Sequence, residues 1–271
     1  MNIIDYAEKN REAWNQVTPI HQKHRKTNLR EAVQSPSFLV LRELETAMFR
    51  RLNISGKRVA HVCCNNGREL ISVLKMGAAS GVGFDISDEA IKEAKTLAES
   101  GQVNCEFIRT NVYDIDGRFF NQFDVAYITI GAITWLDDLH RFFKIVSHLL
   151  IPGGHLFMYE AHPFLDMIAL PGEDVYDDQN PLKIAYSYFK SDAYIDNNGL
   201  DYIGGTTYDA KTSYSFAHTV SDILKGILTN GMALLDFQEY AHDISASFHH
   251  LEQYHMLPMC YTLLAKKQFC G

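Results

Sequence analysis

The stretch HVCCNNGREL, residues 61–70, places small and polar side chains where an apolar strand passes into a helix. Such a turn often binds a small molecule, because the free backbone N–H groups at a helix start meet polar ligand groups. These loops are usually rich in glycine, which adopts positive φ and lets a ligand approach the backbone. Only Gly67 is glycine here, but Asn65 tolerates left-handed geometry and Cys63 is small. With Arg68 opening the helix, we interpret the stretch as a ligand-binding loop.

Three further strand ends carry suitable residues in a consistent order. Asp85 lies eighteen positions after Gly67, where an acidic side chain can accept hydrogen bonds from two ribose hydroxyls. Asn111 can bond an adenine edge, and Val112 can offer a backbone N–H. The segment ITIGAITW, residues 128–135, runs from a strand into a turn of small residues. Each signal is weak alone, but together they predict a nucleoside site.

The elements that must position these residues alternate between strands and helices from residue 57 onward. Apolar positions at three–four spacing indicate the helices, and Ser87 is placed to cap the helix at 88–101. Strand–helix alternation predicts an α/β fold with an open, doubly wound parallel sheet. Ligands of such sheets bind outside the carboxyl ends of the strands. The first five predicted strands are 57–64, 80–87, 104–110, 123–131 and 155–163.

Composition divides the chain into four predicted segments. Residues 1–50 have a helical pattern, and residues 51–163 hold the alternating strands and helices. Residues 164–216 are crowded with tyrosine and phenylalanine, and an NNG turn signal at 197–199 lies between two extended pieces. We predict that this segment is an insertion over the ligand edge, either covering a substrate or serving only as a packed lid. Residues 217–271 then return to the sheet with two final strands.

Overall composition restricts the class of protein. The chain has 271 residues, 46% hydrophobic, and a net charge of −8, which disfavours a nucleic-acid partner. No apolar run approaches the about 20 residues that cross a bilayer, and no secretory pattern opens the chain, so we expect no membrane partner. Five cysteines, an odd count, indicate reduced thiols in the cytoplasm. The histidines of HHLEQYH match no standard metal spacing, so we expect no metal.

Residues 57–160 resemble the class I S-adenosylmethionine-dependent methyltransferases. The acidic ribose ligand of that family falls on Asp85, and FDVAYITIGAITW looks like its fourth-strand motif. The resemblance implies a Rossmann-like, seven-stranded sheet with an antiparallel last strand, a helical N-terminal cap and an extended insertion after strand 5. It also implies S-adenosylmethionine as the cofactor. The family's D-x-G-x-G-x-G pattern falls on His61, Cys63, Asn65 and Gly67.

The resemblance further implies which side chains contact the cofactor. The loop departs from the family pattern, because His61, Cys63 and Asn65 replace an acid and two glycines. It nevertheless stays small and polar, so we interpret it as a working variant. The N-terminal segment looks like a cap from which Trp14 or His21 closes over the cofactor. The implied cofactor-binding residues are Trp14, Cys63, Asn65, Gly67, Arg68, Asp85, Ile86, Asn111, Val112, Thr129, Ile130 and Gly131.

Histidine and glutamate side chains supply the candidates for a catalytic base. A hydroxyl acceptor of high pKa gains from a base within hydrogen-bond reach, whereas a neutral amine needs little more than positioning. His162 is the first candidate, because it ends the fifth predicted strand on the acceptor side of this fold. Glu160, His21 and His218 follow it. For each of these residues, local hydrogen bonding without a catalytic role is the alternative.

These observations lead to one predicted function and one alternative. A nicotinamide cofactor is disfavoured, because its G-x-G-x-x-G turn would need glycine at Cys63, Asn65 and Arg68. We predict an enzyme that methylates an O or N atom of a small molecule, as a monomer or homodimer. The alternative is a non-catalytic protein that binds S-adenosylmethionine or its demethylated product.

Overall fold

A seven-stranded sheet lies at the centre of the structure, with helices on both of its faces. The computed structural model describes residues 5–269. The strands are β1 Arg58–Val62, β2 Ser80–Asp85, β3 Cys105–Arg109, β4 Phe123–Thr129, β5 Leu150–Ala161, β6 Tyr194–Asp196, β7 Ser213–Ser215, β8 Met232–Tyr240 and β9 Cys260–Lys267. The helices are α1 Tyr6–His24, α2 Leu29–Ala32, α3 Glu43–Arg51, α4 Arg68–Lys75, α5 Asp88–Gly101, α6 Leu139–Leu149 and α7 Val220–Leu228.

The strand order brings the loops predicted to bind a ligand to one edge. The order is β3-β2-β1-β4-β5-β9-β8, with β1 to β5 parallel and β9 antiparallel to both of its neighbours. The α/β fold with a seven-stranded sheet and an antiparallel last strand is therefore confirmed. From β1 the chain adds β2 and β3 on one side and then returns to add β4 and β5 on the other side. The order in which strands are added therefore reverses at β1. In sheets of this kind, ligands bind at such a reversal, outside the carboxyl ends of the strands.

Both faces of the sheet are covered, which explains the continuous apolar character of its strands. One face packs against α2 to α5, and Phe49 of α3 is fully buried there beside Phe157 of β5. The other face packs against α6 and α7, where Phe143 and Ile223 are fully buried. Helix α3 begins within the segment predicted as a cap, residues 1–50, but it packs against the sheet as part of the core.

Strand β5 begins earlier than the sequence indicates. It was predicted from residue 155, but Leu150 already pairs with Phe123 of β4. The register then shifts before Val125 pairs with His155, so a bulge absorbs the residues between the two pairs. The Pro-Gly-Gly stretch at 152–154 therefore lies inside a strand, because a bulge accommodates residues that a regular ladder excludes.

The insertion after β5 holds a small second sheet. β6 and β7 pair antiparallel, with Ile195 opposite Tyr214. The two extended pieces are as predicted, but the NNG signal does not join them by a tight turn, since residues 197–212 form a long loop. Gly199 turns the chain with a φ of 93°. The following residues then run along α1, which holds Leu200 and Asp201 by side-chain hydrogen bonds.

A buried carboxylate fixes α3 on the sheet. Glu45 is 2% exposed and accepts hydrogen bonds from the Tyr127 hydroxyl, the Thr129 hydroxyl at 3.2 Å and the Arg42 backbone N–H at 2.8 Å. Burial raises the pKa of Glu45 above its usual value. The carboxylate therefore joins the helix start to the end of β4, where the candidate site begins.

We expect Glu45→Ala to lower the free energy of unfolding by about 3 kcal/mol, because it leaves buried donors without a partner. Denaturant unfolding followed by circular dichroism measures this. Glu43→Ala, at an exposed position of the same helix, is the control and should cost less than about 1 kcal/mol. Equal losses in the two variants would contradict an anchoring role for Glu45.

Candidate functional site

The loop between β1 and α4 turns through three left-handed residues. Cys63, Asn65 and Gly67 have φ angles of 56°, 48° and 72°. The Gly67 N–H donates to the Cys64 carbonyl at 2.9 Å, which closes the turn before α4 starts. Cysteine and asparagine thus adopt the backbone geometry for which glycine is usually selected.

Only glycine fits at position 67. A Cβ there would lie 2.3 Å from the ring of Phe107, which comes from β3. The same ring approaches Gly83 of β2, where a Cβ would lie 2.5 Å away. Phe107 therefore packs beneath the loop against two positions that lack side chains. The close packing explains why Gly67 is kept when the loop's other glycines are absent.

Asp85 connects the end of β2 to this loop. Its carboxylate accepts the Asn65 N–H at 2.7 Å and the Ser87 N–H at 2.9 Å. Burial raises the pKa of Asp85, although the backbone hydrogen bonds act in the opposite direction. An ionised carboxylate has about four lone-pair positions, so it can also accept hydrogen bonds from a ligand. The next residue, Ile86, is half-buried beside it.

The ends of β3 and β4 meet the same edge. The Asn111 side chain accepts the Tyr113 N–H at 3.1 Å and starts a short 3-10 helix in which Val112 is buried. Thr129 donates its hydroxyl to Glu45, as described for α3. Ile130 follows with a φ of 23° and is 37% exposed. Contact between these residues and the cofactor stays a prediction.

Glu160 holds the turn that follows β4. This carboxylate is 1% exposed and accepts the backbone N–H groups of Gly131 and Ala132, the latter at 2.9 Å. Burial raises its pKa to about 7, despite these hydrogen bonds. A Cβ on Gly131 would meet nothing within 4 Å, so open space lies in front of the turn.

The three predicted catalytic histidines are all hydrogen-bonded within the protein. His162 accepts the Phe164 N–H at 3.1 Å through Nδ1, so its proton lies on Nε2, which is 2.9 Å from Glu239. Burial lowers the pKa of His162. His218 donates from Nε2 to the Leu136 carbonyl at 2.8 Å. His21 donates from Nε2 to the Leu200 carbonyl at 2.9 Å. Their catalytic role stays a prediction, and no ring nitrogen of His162 remains for a substrate.

His61 lies in β1, two residues before Cys63 of the loop, and its side chain lacks a hydrogen-bond partner. It is 1% exposed, and neither ring nitrogen has a hydrogen-bond partner in the structure. The ring lies 4.6 Å from that of Tyr127, and burial lowers its pKa to about 4. A buried polar group without a partner costs about 1–3 kcal/mol. The lone pairs of Asp85 and the open space at Gly131, rather than the buried His61, fit a ligand with polar groups at this edge.

Two residues that the sequence did not single out complete the edge. Trp135 follows the turn after β4, and its ring lies 5.4 Å from that of Trp14 on α1. Asn15 of α1 accepts the Ser87 hydroxyl at 2.8 Å. A tryptophan after a small-residue turn was visible in the sequence, but its partner on α1 was not. Arg68 lies at the start of α4, where it is paired with Glu69.

Other features of the chain give no additional site. Between residues 5 and 269, no cluster of three or more histidine, cysteine, aspartate or glutamate side chains could hold a metal ion. No helix in that range is long and apolar enough to cross a membrane. The cysteines in that range are free thiols, and Cys270 lies outside the described residues.

The strand order defines the class of protein as an open α/β sheet whose order reverses at β1. Residues 60–156 match the family model described as a methyltransferase domain. A tRNA U34 carboxymethyltransferase of Campylobacter curvus is 29% identical over 107 residues, which are 40% of this chain and 35% of that protein. A ribosomal protein L11 methyltransferase of Neisseria meningitidis is 36% identical over 29% of this chain and 25% of that protein.

A solved structure extends the likeness to most of the chain. An S-adenosylmethionine-dependent methyltransferase from Mesorhizobium loti covers 82% of this chain and 97% of its own length, with a TM-score of 0.59 and 19% identity. Residues 60–156 therefore match a methyltransferase domain, and most of the chain shares the fold of that solved methyltransferase. The methyltransferase domain and the fold agree with the resemblance that the sequence predicted. The chain spans only a quarter to about a third of the two curated relatives' length.

We expect Gly67→Ala to lower the free energy of unfolding by about 3 kcal/mol, since it adds both a strained φ and a clash with Phe107. Gly56→Ala is the matched control, because its φ of 74° is similar but a Cβ there meets nothing within 4 Å. The control should cost about 1 kcal/mol. Thermal and denaturant unfolding measure both values, and equal costs would show that Phe107 does not restrict the loop.

The raised pKa of Glu160 predicts a pH-dependent stability. Its contribution is fully present below the ordinary value of 4.5 and is lost as pH rises through about 7, because the folded state holds the proton more tightly. The loss amounts to up to about 3 kcal/mol. Glu160→Gln should flatten the unfolding free energy across this range, whereas Glu106→Gln, exposed on β3, should leave it unchanged. A wild-type pH profile in Glu160→Gln would contradict the assignment.

Proposed function

We propose that this chain is a methyltransferase that transfers the methyl group of S-adenosylmethionine to an O or N atom of a small molecule. The observation that carries the proposal is the left-handed loop at 63–67, closed by hydrogen bonding to Asp85. It supports a working cofactor loop despite the missing glycines. The start of α4, Asp85 and the turn after β4 lie with this loop at the carboxyl edge of the sheet.

When bound, S-adenosylmethionine supplies a methyl group that its sulfonium has already activated, so the protein's task is positioning and exclusion of water. Asp85 accepts the ribose hydroxyls, and Asn111 with Val112 borders the adenine. The backbone N–H groups at the start of α4 bind the carboxylate end, which the positive end of the helix dipole favours. Gly131 leaves room for the reacting groups beside the turn that Glu160 holds.

The hydrogen bonds at the strand ends support transfer without a strong protein base. His162 has both ring nitrogens engaged, and Glu160 accepts two backbone N–H groups. A neutral nitrogen acceptor carries its own lone pair and needs only alignment with the methyl group. A hydroxyl acceptor would need a base that these residues supply only by breaking structural bonds. The geometry therefore favours nitrogen over oxygen among the predicted acceptors.

Two features support a small-molecule acceptor: the negative net charge of the chain and the segments that lie over the carboxyl edge of the sheet. The net charge of −8 disfavours a phosphate backbone, although the two curated relatives are named for tRNA and ribosomal protein. Residues of α1 and of the insertion meet across the carboxyl edge, where they restrict access for a large partner. We include in the proposal a cytoplasmic location, supported by the free thiols, and a monomer or homodimer without nucleic-acid or membrane partners.

Calorimetric titration with S-adenosylmethionine, and then with S-adenosylhomocysteine, tests the cofactor site. We expect micromolar binding, weakened about 100-fold by Asp85→Ala because hydrogen bonds to a carboxylate contribute about 1.5–3 kcal/mol. Asp124→Ala is the matched control, since Asp124 also accepts a backbone N–H, from Arg58 at 2.9 Å, but at the amino edge. Circular dichroism checks the folding of each variant. Unchanged affinity in Asp85→Ala would overturn the assignment of the ribose site.

A non-catalytic binding protein is the second candidate, because the engaged histidines leave no evident base. Turnover separates the two functions. The protein is incubated with methyl-labelled S-adenosylmethionine and a small-molecule, an RNA or a protein fraction of a cell extract; label in protein, as label in RNA, counts against a small acceptor. Label in the small-molecule fraction supports the proposed enzyme, and label in RNA would overturn the proposed acceptor class. Cofactor binding without labelled product in any fraction, including protein, would favour the binding protein.

A further inference from the structure

Asp166 is a half-buried carboxylate to which the fold gives no partner. It lies in the short 3-10 helix Pro163–Met167, which follows β5. Three other carboxylates whose pKa is raised by burial, those of Glu45, Asp85 and Glu160, all accept hydrogen bonds. Within residues 5–269 the Asp166 carboxylate accepts no hydrogen bond and forms no ion pair, and burial alone raises its pKa to about 6. A desolvated charge without a partner costs free energy, which a positively charged ligand would offset.

Tyr194 of β6 lies next to Asp166. The Tyr194 hydroxyl donates to the Asp166 backbone carbonyl at 3.3 Å. Burial raises the pKa of Tyr194, and the neighbouring charge of Asp166 adds to this effect. Lys190 places its Nζ 4.8 Å from the centre of the Tyr194 ring, but in the part of the chain that the structure describes it forms no ion pair with Asp166. An aromatic ring beside a carboxylate is a combination that binds organic cations.

Tyr194 also connects Asp166 to the turn after β4. It pairs with Ser215 of β7. The next residue of β7's chain, Phe216, donates its N–H to the Thr134 carbonyl of that turn at 2.8 Å. The insertion therefore runs from the end of β5 to the end of β4, and Tyr194 lies between the two contacts.

The end of β5 and the turn after β4 border the same open space. These strands are parallel neighbours, and the Ile130 N–H donates to the Tyr159 carbonyl at 3.1 Å where β4 ends. A Cβ on Gly131, the next residue of the turn, would meet nothing within 4 Å. An acceptor that occupies this space therefore has Asp166 and Tyr194 on its β5 side.

The chemistry of this pair selects a cationic group. An ionised carboxylate only accepts hydrogen bonds, whereas a protonated amine donates up to three and carries the opposite charge. A neutral hydroxyl would leave the charge of Asp166 uncompensated, and an anionic group would be repelled by it. A protonated nitrogen has no lone pair with which to attack a methyl group. The amine at Asp166 would therefore anchor the acceptor, and a different, neutral atom would take the methyl group.

We propose that Asp166 and Tyr194 form an acceptor subsite for a protonated amine, so that the methyl acceptor is a small molecule carrying an ammonium group in addition to its nucleophilic atom. This inference rests on the proposed function, because it names the acceptor of that reaction. Asp166 acts here as a positioning residue for the acceptor. Its replacement should leave cofactor affinity unchanged, since β1 and β4 separate the β2 end that holds Asp85 from β5.

Calorimetric titration of the protein, saturated with S-adenosylhomocysteine, with benzylamine tests the subsite. Benzylamine is protonated at neutral pH, and benzyl alcohol and benzoate are its neutral and anionic counterparts. We expect benzylamine to bind at least about tenfold more tightly than benzyl alcohol, and benzoate to bind least, because hydrogen bonds between charged groups are the stronger ones. Asp166→Asn should abolish this preference, whereas Asp192→Asn, at an exposed position of the same insertion, should keep it.

The preference in the wild type and its loss in Asp166→Asn must both be observed. Equal affinities of benzylamine and benzyl alcohol for the wild type would overturn the subsite. An unchanged preference in Asp166→Asn would do the same, as would no binding of benzylamine to a protein that binds S-adenosylhomocysteine.

Stability distinguishes a ligand-binding role of Asp166 from a structural one. Its carboxylate has no partner to lose, so Asp166→Asn should keep or raise the denaturant midpoint at neutral pH. A lowered midpoint would show that the carboxylate supports the fold and would contradict the subsite. Tyr194→Phe keeps the aromatic ring and should keep the preference for benzylamine, whereas Tyr194→Leu should weaken it.

Methyl transfer tests the acceptor class directly. The small-molecule fraction of a cell extract is separated on a cation exchanger at neutral pH, and each part is incubated with the protein and methyl-labelled S-adenosylmethionine. We expect label in the retained, cationic compounds, reduced at least about tenfold by Asp166→Asn. Label confined to the unretained compounds would overturn the subsite but leave the proposed function standing. No binding of S-adenosylhomocysteine, or no label in any fraction, would instead overturn the proposed function itself.

Discussion

The hydrogen bond from the Asn65 N–H to the Asp85 carboxylate is the interaction on which the site depends. It joins the loop after β1 to the end of β2, and the loop that makes this bond passes through three left-handed residues. Asparagine and cysteine accept this conformation at moderate cost, whereas Gly67 is fixed by the ring of Phe107. The loop is therefore held by one carboxylate and one steric constraint, and the absent glycines are not needed for its shape.

Buried carboxylates that accept backbone N–H groups recur throughout the structure. Glu160 holds the turn after β4, Glu45 holds the start of α3, and Asp201 accepts two N–H groups in the loop of the insertion. Burial opposes ionisation of Asp201, but these hydrogen bonds lower its pKa. A backbone N–H is a fixed donor, so a carboxylate that meets two of them determines the path of a loop. Loops at the carboxyl edge are thereby held by hydrogen bonds to carboxylates, in addition to apolar contacts such as that of Phe107 with Gly67.

This arrangement separates the positioning of loops from the chemistry proposed for them. Carboxylates and histidines at this edge make structural hydrogen bonds within the protein, as the contacts of Glu160 and His162 show. An already activated methyl group allows this, because transfer to a nucleophilic nitrogen requires alignment more than proton abstraction. Contacts of α1 with Ser87 and Trp135 lie beside the same edge.

The sequence by itself determined the alternating elements, the order of the strand ends, the loop at 61–70 and the acid at Asp85. Periodicity, turn chemistry and short spacings encode these features within about 20 residues, so they can be read without the fold. Only the tertiary structure decided three contacts. The Asn10 side chain hydrogen-bonds to the backbone of β7, the Trp14 ring packs against that of Trp135, and His162 hydrogen-bonds to Glu239. Those partners lie 77 or more positions apart, and packing of the whole chain selects them. The chemical type of a side chain determines which hydrogen bonds and packing contacts it can make. Its actual partner depends on which distant segment folds against it.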